Sequence, residues 1–94
     1  MKKAFEWDGK KLKVEGVTLD ATEEYLTIAE AMNAPDSKLT PLDRVRNSRR
    51  MLEVLNCPAD ILTGLYAERI MELIGVLETA HWGVGDGGNP EGGE

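Results

Sequence analysis

The sequence predicts a small α+β domain that is mainly α-helical, with an N-terminal β-hairpin, three to four helices and a disordered glycine-rich tail. Asp8-Gly9 is a two-residue turn signal between short alternating segments. Apolar residues then recur at helical spacing behind capping residues. Six of the last twelve residues are glycine. We therefore expect one globular domain over residues 1–82 and a flexible, acidic, Gly-rich tail over residues 83–94.

The hairpin is predicted over residues 3–15. A type I′ turn at Asp8-Gly9 sets the register, because it places Phe5 opposite Leu12. One face then gathers the apolar side chains, which are Phe5, Trp7, Leu12 and Val14. Since an isolated hairpin is only marginally stable, this face must lie on a helix or on another chain.

The apolar periodicity predicts helices over about 20–32, 41–56, 58–63 and 65–81. Asp20 and Glu23 resemble a capping box for the first helix. Thr40-Pro41 is a typical start for the second, and Gly83 is suited to end the last. The buried stripe expected for the second helix consists of Leu42, Val45, Leu52 and Leu55.

Composition excludes several classes of function. The formal net charge of −6 argues against general nucleic-acid binding and against an anionic membrane surface. The single cysteine, Cys57, cannot close an internal disulfide, which fits a reducing cytoplasm. The N-terminus has no apolar signal-peptide region, and no apolar stretch approaches the ~20 residues of a membrane span. We therefore expect a cytoplasmic protein.

Catalytic, metal and cofactor chemistry finds little support in the sequence. One cysteine and one histidine, Cys57 and His81, match no metal-ligand spacing. Cys57 at a helix junction is either a packed thiol, which we favour, or a nucleophile with His81 as its base. The carboxylate pairs Glu23-Glu24 and Glu68/Glu72 are typical of solvated helix faces. The sequence therefore predicts a protein that is not an enzyme and that needs no cofactor.

Two features suggest protein binding instead. Arg46, Arg49 and Arg50, with Arg44 nearby, form a basic cluster in an acidic chain. They are interpreted as a solvated face pairing with acidic neighbours, as a docking patch for an acidic partner or a second copy, or, least favoured, as a nucleic-acid contact. Trp82 follows the last helix, where packing in the core and contact with a partner are equally plausible.

The order of these elements resembles the tail assembly chaperones of long-tailed bacteriophages. The stretch from Met51 to Leu65 reads Met-Leu-Glu-Val-Leu-Asn-Cys-Pro-Ala-Asp-Ile-Leu-Thr-Gly-Leu, and a helix ending near Trp82 follows it. The resemblance is one of pattern and spans about residues 4–82. An acidic residue often lies near the start of the family's last helix, and Glu68 is the nearest match, at an offset.

The resemblance implies a protein that binds the tape measure protein and keeps it soluble while tail tube subunits polymerise around it. Such chaperones tend to self-associate and are absent from the mature virion. In many relatives a ribosomal frameshift appends a second domain near the position of the glycine-rich tail. The residues predicted to contact partners are Phe5, Trp7, Leu12, Val14, Arg46, Arg49, Arg50 and Trp82.

An alternative is a small acidic inhibitor of the anti-CRISPR or anti-restriction type. It would occupy a nucleic-acid site with the surface carboxylates Glu68, Glu72 and Glu78. A small enzyme that uses Cys57 is the third and least favoured hypothesis.

Overall fold

The computed structural model describes residues 1–83. Its elements in chain order are β1 (Lys2–Trp7), β2 (Lys10–Glu15), α1 (Leu19–Asn33), α2 (Pro41–Val54), α3 (Ala59–Thr63), a 3₁₀ turn (Ala67–Arg69) and α4 (Ile70–Trp82). A hairpin followed by helices confirms the predicted fold class. The predicted flexible tail lies outside the described residues, apart from Gly83.

The hairpin has the predicted register. β1 and β2 pair antiparallel, with Phe5 opposite Leu12, Glu6 opposite Lys11 and Trp7 opposite Lys10. Asp8 and Gly9 form the turn with φ of 52° and 78°, the left-handed values that a type I′ turn requires. The turn chemistry and the alternation of side chains therefore agree on one register.

Capping residues set the starts of the two long helices. At α2, Thr40 Oγ1 accepts from the Asp43 N–H at 3.0 Å, and Asp43 accepts from the Thr40 N–H at 3.1 Å. At α1, the predicted capping box of Asp20 and Glu23 is wrong, because Thr18 caps the helix instead. Its Oγ1 accepts from the Ala21 N–H at 3.2 Å, so α1 begins at Leu19.

The ends of α2 and α4 use left-handed residues. Asn56, with φ 66°, follows α2, and the Asn56 and Cys57 N–H groups donate to the Glu53 and Leu52 carbonyls. This Schellman arrangement ends the helix at Val54 rather than at the predicted residue 56. Gly83, with φ 68°, ends α4 as predicted, and its N–H donates to Thr79 O.

The segment between α2 and α4 departs most from the prediction. The short helix predicted over residues 58–63 is present as α3 and ends before Gly64, but a 3₁₀ turn over Ala67–Arg69 precedes α4. The last helix therefore begins at Ile70 rather than at residue 65. None of the residues in α3 or in the 3₁₀ turn is fully buried.

The core lies where the hairpin, α1, α2 and α4 meet. Its most completely buried large side chains are Tyr25, Leu52, Leu55, Leu73 and Leu77. α4 crosses the inner face of β1, and α1 packs on α2. Within residues 1–83, no helix has both the length and the hydropathy to cross a lipid bilayer.

Candidate protein-binding surface

The apolar face of the hairpin lies in the core, so its prediction as an open contact surface is wrong. Phe5, Trp7 and Val14 keep less than a tenth of their exposure, and Leu12 is half-buried. The physical reason is that α4 packs on this face and removes it from solvent. A marginally stable hairpin needs its apolar face covered by a helix or by another chain, and here a helix of the same chain covers it.

A charged side chain, that of Arg69, packs beside the apolar face of the hairpin. The Arg69 guanidinium stacks on Trp7, with its central carbon 4.2 Å from the ring centroid. It also forms ion pairs with Asp8 at 2.8 Å and Glu72 at 3.2 Å, which raise the pKa of Arg69. Arg69 therefore joins the hairpin turn to the start of α4 and covers one face of the Trp7 ring.

The three arginines predicted for docking have different surroundings. Arg50 is held by α1, with Nε 2.6 Å from Glu24 Oε2 and Nη2 3.0 Å from Glu24 Oε1. Its hydrogen bonds lower the pKa of Glu24. Arg49 contacts Glu53 of its own helix at 3.5 Å, and Arg46 has no ion pair within residues 1–83. Arg50 thus links two helices, whereas Arg46 and Arg49 remain the accessible cations.

Trp82 is half-buried beside α1. Its ring centroid lies 5.3 Å from that of Tyr25, and the Tyr25 hydroxyl donates to the Glu78 carboxylate. The adjacent His81 is buried, and its Nε2 donates to Leu55 O at 2.7 Å, since a carbonyl can only accept. Both side chains anchor the end of α4, and Trp82 is mainly a packing residue.

Cys57 has the surroundings of a structural thiol. It is buried, and its Sγ lies 3.6 Å from Pro58 O. Burial, together with the negative charge of Asp60, raises the pKa of Cys57 to about 11. The side chain is therefore a neutral thiol at physiological pH, which is the less nucleophilic form.

An apolar groove lies between α2, α3 and the start of α4. Its volume is about 160 Å³. Its lining residues, which define the α2–α4 groove, are Val45, Leu52, Leu62, Leu65, Ala67 and Ile70, with Arg49 at the rim. Leu42 lies one turn before Val45 on α2. Val45 and Leu42 keep 49% and 55% of their exposure, although the sequence predicted both to be buried.

The groove exists because the chain after α2 forms too little helix to cover it. Gly64 and the 3₁₀ turn separate α3 from α4, so this part of the chain contributes only Leu62, Leu65, Ala67 and Ile70 to the lining of the groove. Leu42 and Val45 belong to the apolar stripe predicted for α2, and the structure buries residues of this helix only from Ser48 onward.

A second concavity shares Leu65 with the α2–α4 groove. Its volume is about 340 Å³, and Trp7, Leu12, Ile61 and Tyr66 supply its apolar surface. The exposed ring of Tyr66 borders it, whereas Arg69 within it is already paired with Asp8. Because Asp8, Lys10, Asp60 and Arg69 also line this concavity, its surface is more polar than that of the α2–α4 groove and suits an apolar partner less well.

The described residues contain no cluster of three or more His, Cys, Asp or Glu side chains placed to hold a metal ion. The feature best suited to bind a partner is thus the α2–α4 groove, which has an apolar lining and a cationic rim. At about 160 Å³, the groove has room for an apolar side chain from one face of an amphipathic helix. No protein-family model matches this chain, and no curated protein or solved structure is significantly similar to it.

Proposed function

We propose that this protein is a non-catalytic tail assembly chaperone of the phage type. It binds a helical segment of the tape measure protein in the α2–α4 groove and keeps that client soluble while tail tube protein polymerises. It acts in the cytoplasm of the bacterial host, packs against copies of itself and is absent from the mature virion.

The observation that carries the proposal is the uncovered apolar groove. A chaperone of this kind needs apolar surface for its client, and Val45, Leu62 and Leu65 provide it. Arg49 at the rim suits a client helix whose flanking residues are acidic. The net charge of −6 favours solubility of the complex.

The acidic-inhibitor alternative has weaker support. Glu72 is paired with Arg69 at 3.2 Å, and Glu78 accepts a hydrogen bond from Tyr25. Of the three carboxylates assigned to this role, only Glu68 forms no ion pair or side-chain hydrogen bond within residues 1–83. A charge mimic of nucleic acid needs several carboxylates that are free to meet cations.

The test uses a matched pair of variants. Val45→Asp places a charge in the groove, where Val45 is 49% exposed, whereas Met71→Asp makes a similar change on α4, outside the groove, where Met71 is 67% exposed. Each variant is co-expressed with the tape measure protein, and co-purification and light scattering of the client are measured. We expect Val45→Asp to lose at least about tenfold in client affinity, and Met71→Asp to retain binding.

Two results would reject the proposal. One is a wild-type protein that neither co-purifies with the tape measure protein nor suppresses its aggregation. The other is equal loss of binding in both variants while circular dichroism shows that both are folded. Equal loss would show that the client does not bind in the α2–α4 groove.

A further inference from the structure

α1 leaves one mixed apolar and acidic stripe uncovered. The α1 stripe consists of Leu19, Glu23, Leu26 and Glu30. Spacings of four, three and four residues keep these side chains on one side of a helix. All four are exposed, with 76% for Leu19 and 52% for Leu26. A leucine that is this exposed leaves apolar surface in contact with water, and binding of a partner would bury that surface.

α2 leaves a stripe of the opposite charge. The α2 stripe consists of Leu42, Arg46 and Arg49, at spacings of four and three residues. All three are exposed, and Leu42 keeps 55% of its area. The two stripes thus share one helical spacing and have complementary charge.

Within one molecule, the charges of the α1 stripe are not paired with those of the α2 stripe. α1 faces α2 through Glu24, which pairs with Arg50 at 2.6 Å. Because successive residues lie about 100° apart around a helix, the α1 stripe points away from this contact. No ion pair within residues 1–83 joins Glu23 or Glu30 to Arg46 or Arg49.

We infer, building on the self-association in the proposed function, that copies of this chain associate head to tail, with the α1 stripe of one molecule on the α2 stripe of the next. Leucines then meet apolar surface, and each carboxylate meets a guanidinium. A contact of either stripe with its own copy would instead bring together charges of the same sign. The head-to-tail contact leaves one stripe of each kind at the ends, so it can continue into a ring or an open chain.

Charge reversal tests this pairing. The α1 swap is Glu23→Lys with Glu30→Lys, and the α2 swap is Arg46→Glu with Arg49→Glu. Mass is measured by light scattering and sedimentation over a concentration series. We expect wild type to self-associate, and each swap alone to weaken association by roughly tenfold or more. An equimolar mixture of the two swaps should recover association, because each reversed stripe then finds a complementary partner. A chain carrying all four changes should also recover it.

The control is Lys11→Glu with Lys13→Glu on the exposed face of the hairpin, which changes net charge as much as the α2 swap does. It should associate like wild type, and circular dichroism verifies the fold of every variant. The inference is overturned by a wild type that stays monomeric throughout, by swaps that associate like wild type, or by a mixture that fails to recover. The α1 swap lies outside the α2–α4 groove, so its effect is distinct from loss of client binding.

Discussion

At the scale of single residues, buried polar groups decide how the fold responds to pH. Tyr25 and Cys57 are both buried, and burial raises the pKa of each. For Tyr25, the hydrogen bond to Glu78 adds to the same effect. Both side chains therefore stabilise the fold only in their neutral forms. Their contribution to the free energy of unfolding is lost as the pH becomes alkaline.

For Cys57 the pH window is defined. Its pKa rises from 9.0 in the unfolded chain to about 11 in the fold. Between these values the unfolded state binds fewer protons, so stability is fully present below about pH 9 and falls as pH rises towards 11. The loss is at most about 2–3 kcal/mol. Urea unfolding at a series of pH values measures it.

Cys57→Ala is the matched comparison. This variant is less stable at neutral pH, because it loses buried volume. Its stability should nevertheless fall less steeply than that of wild type between pH 9 and 11, with the residual slope due to Tyr25. An identical slope in both proteins would show that the thiol is not the titrating group.

At the scale of elements, two glycines have similar free space around them but differ in backbone conformation. A Cβ at Gly9 or at Gly75 would meet no atom within 4 Å. Gly9 has φ 78° in the hairpin turn, whereas Gly75 lies within α4. Replacing both with alanine therefore isolates backbone effects from packing.

We expect opposite outcomes for these two alanine variants. Gly75→Ala should stabilise the protein by about 0.5–1 kcal/mol, because alanine is the better helix former. Gly9→Ala should destabilise it by about 1–2 kcal/mol, since its Cβ strains the left-handed conformation. Denaturant midpoints with unchanged m-values measure both. A destabilised Gly75→Ala would mean that α4 approaches β1 more closely than the structure indicates.

The elements differ in how well local sequence predicts them. The hairpin register followed from Asp8-Gly9 and the α2 start from Thr40, because each depends on chemistry within a few residues. The α1 start was missed because Thr18 and Asp20 are competing caps only two residues apart. The segment after Gly64 was missed because apolar periodicity alone cannot separate a continuous helix from a 3₁₀ turn followed by one.

The candidate site was harder to predict than the fold. The apolar side chains were identified, but which of them are covered depends on how α4 lies across the molecule. The sequence predicted Phe5 and Trp7 to contact a partner and Val45 to be buried, whereas the structure buries Phe5 and Trp7 within the chain and leaves Val45 half-exposed. Apolar pattern marks a face that must be covered, and only the tertiary arrangement determines what covers it.

At the scale of the whole molecule, the two proposed contacts share part of one helix. Arg49 borders the α2–α4 groove and belongs to the α2 stripe. A client in the groove and a second copy on α2 would therefore compete for the same guanidinium. Self-association and client binding are then linked by mass action, so each weakens the other.

Stability across the molecule is expected to be uneven, with its minimum in the segment from residue 59 to 66. α3 has no fully buried residue and no side-chain cap, and Gly64 follows it directly. In contrast, α2 and α4 contribute Leu52, Leu73 and Leu77 to the core. Few buried contacts allow local opening at a free energy well below that of global unfolding.

Native-state hydrogen exchange should therefore find amides of α3 exchanging at least about a hundredfold faster than those in the middle of α4. Residue-resolved exchange at neutral pH measures this. If a client occupies the α2–α4 groove, its contact with Leu62 and Leu65 should slow exchange in α3 while leaving the hairpin amides unchanged. Equal protection of α3 and α4 in the free protein would contradict this picture, because it would require α3 to open only with the whole fold.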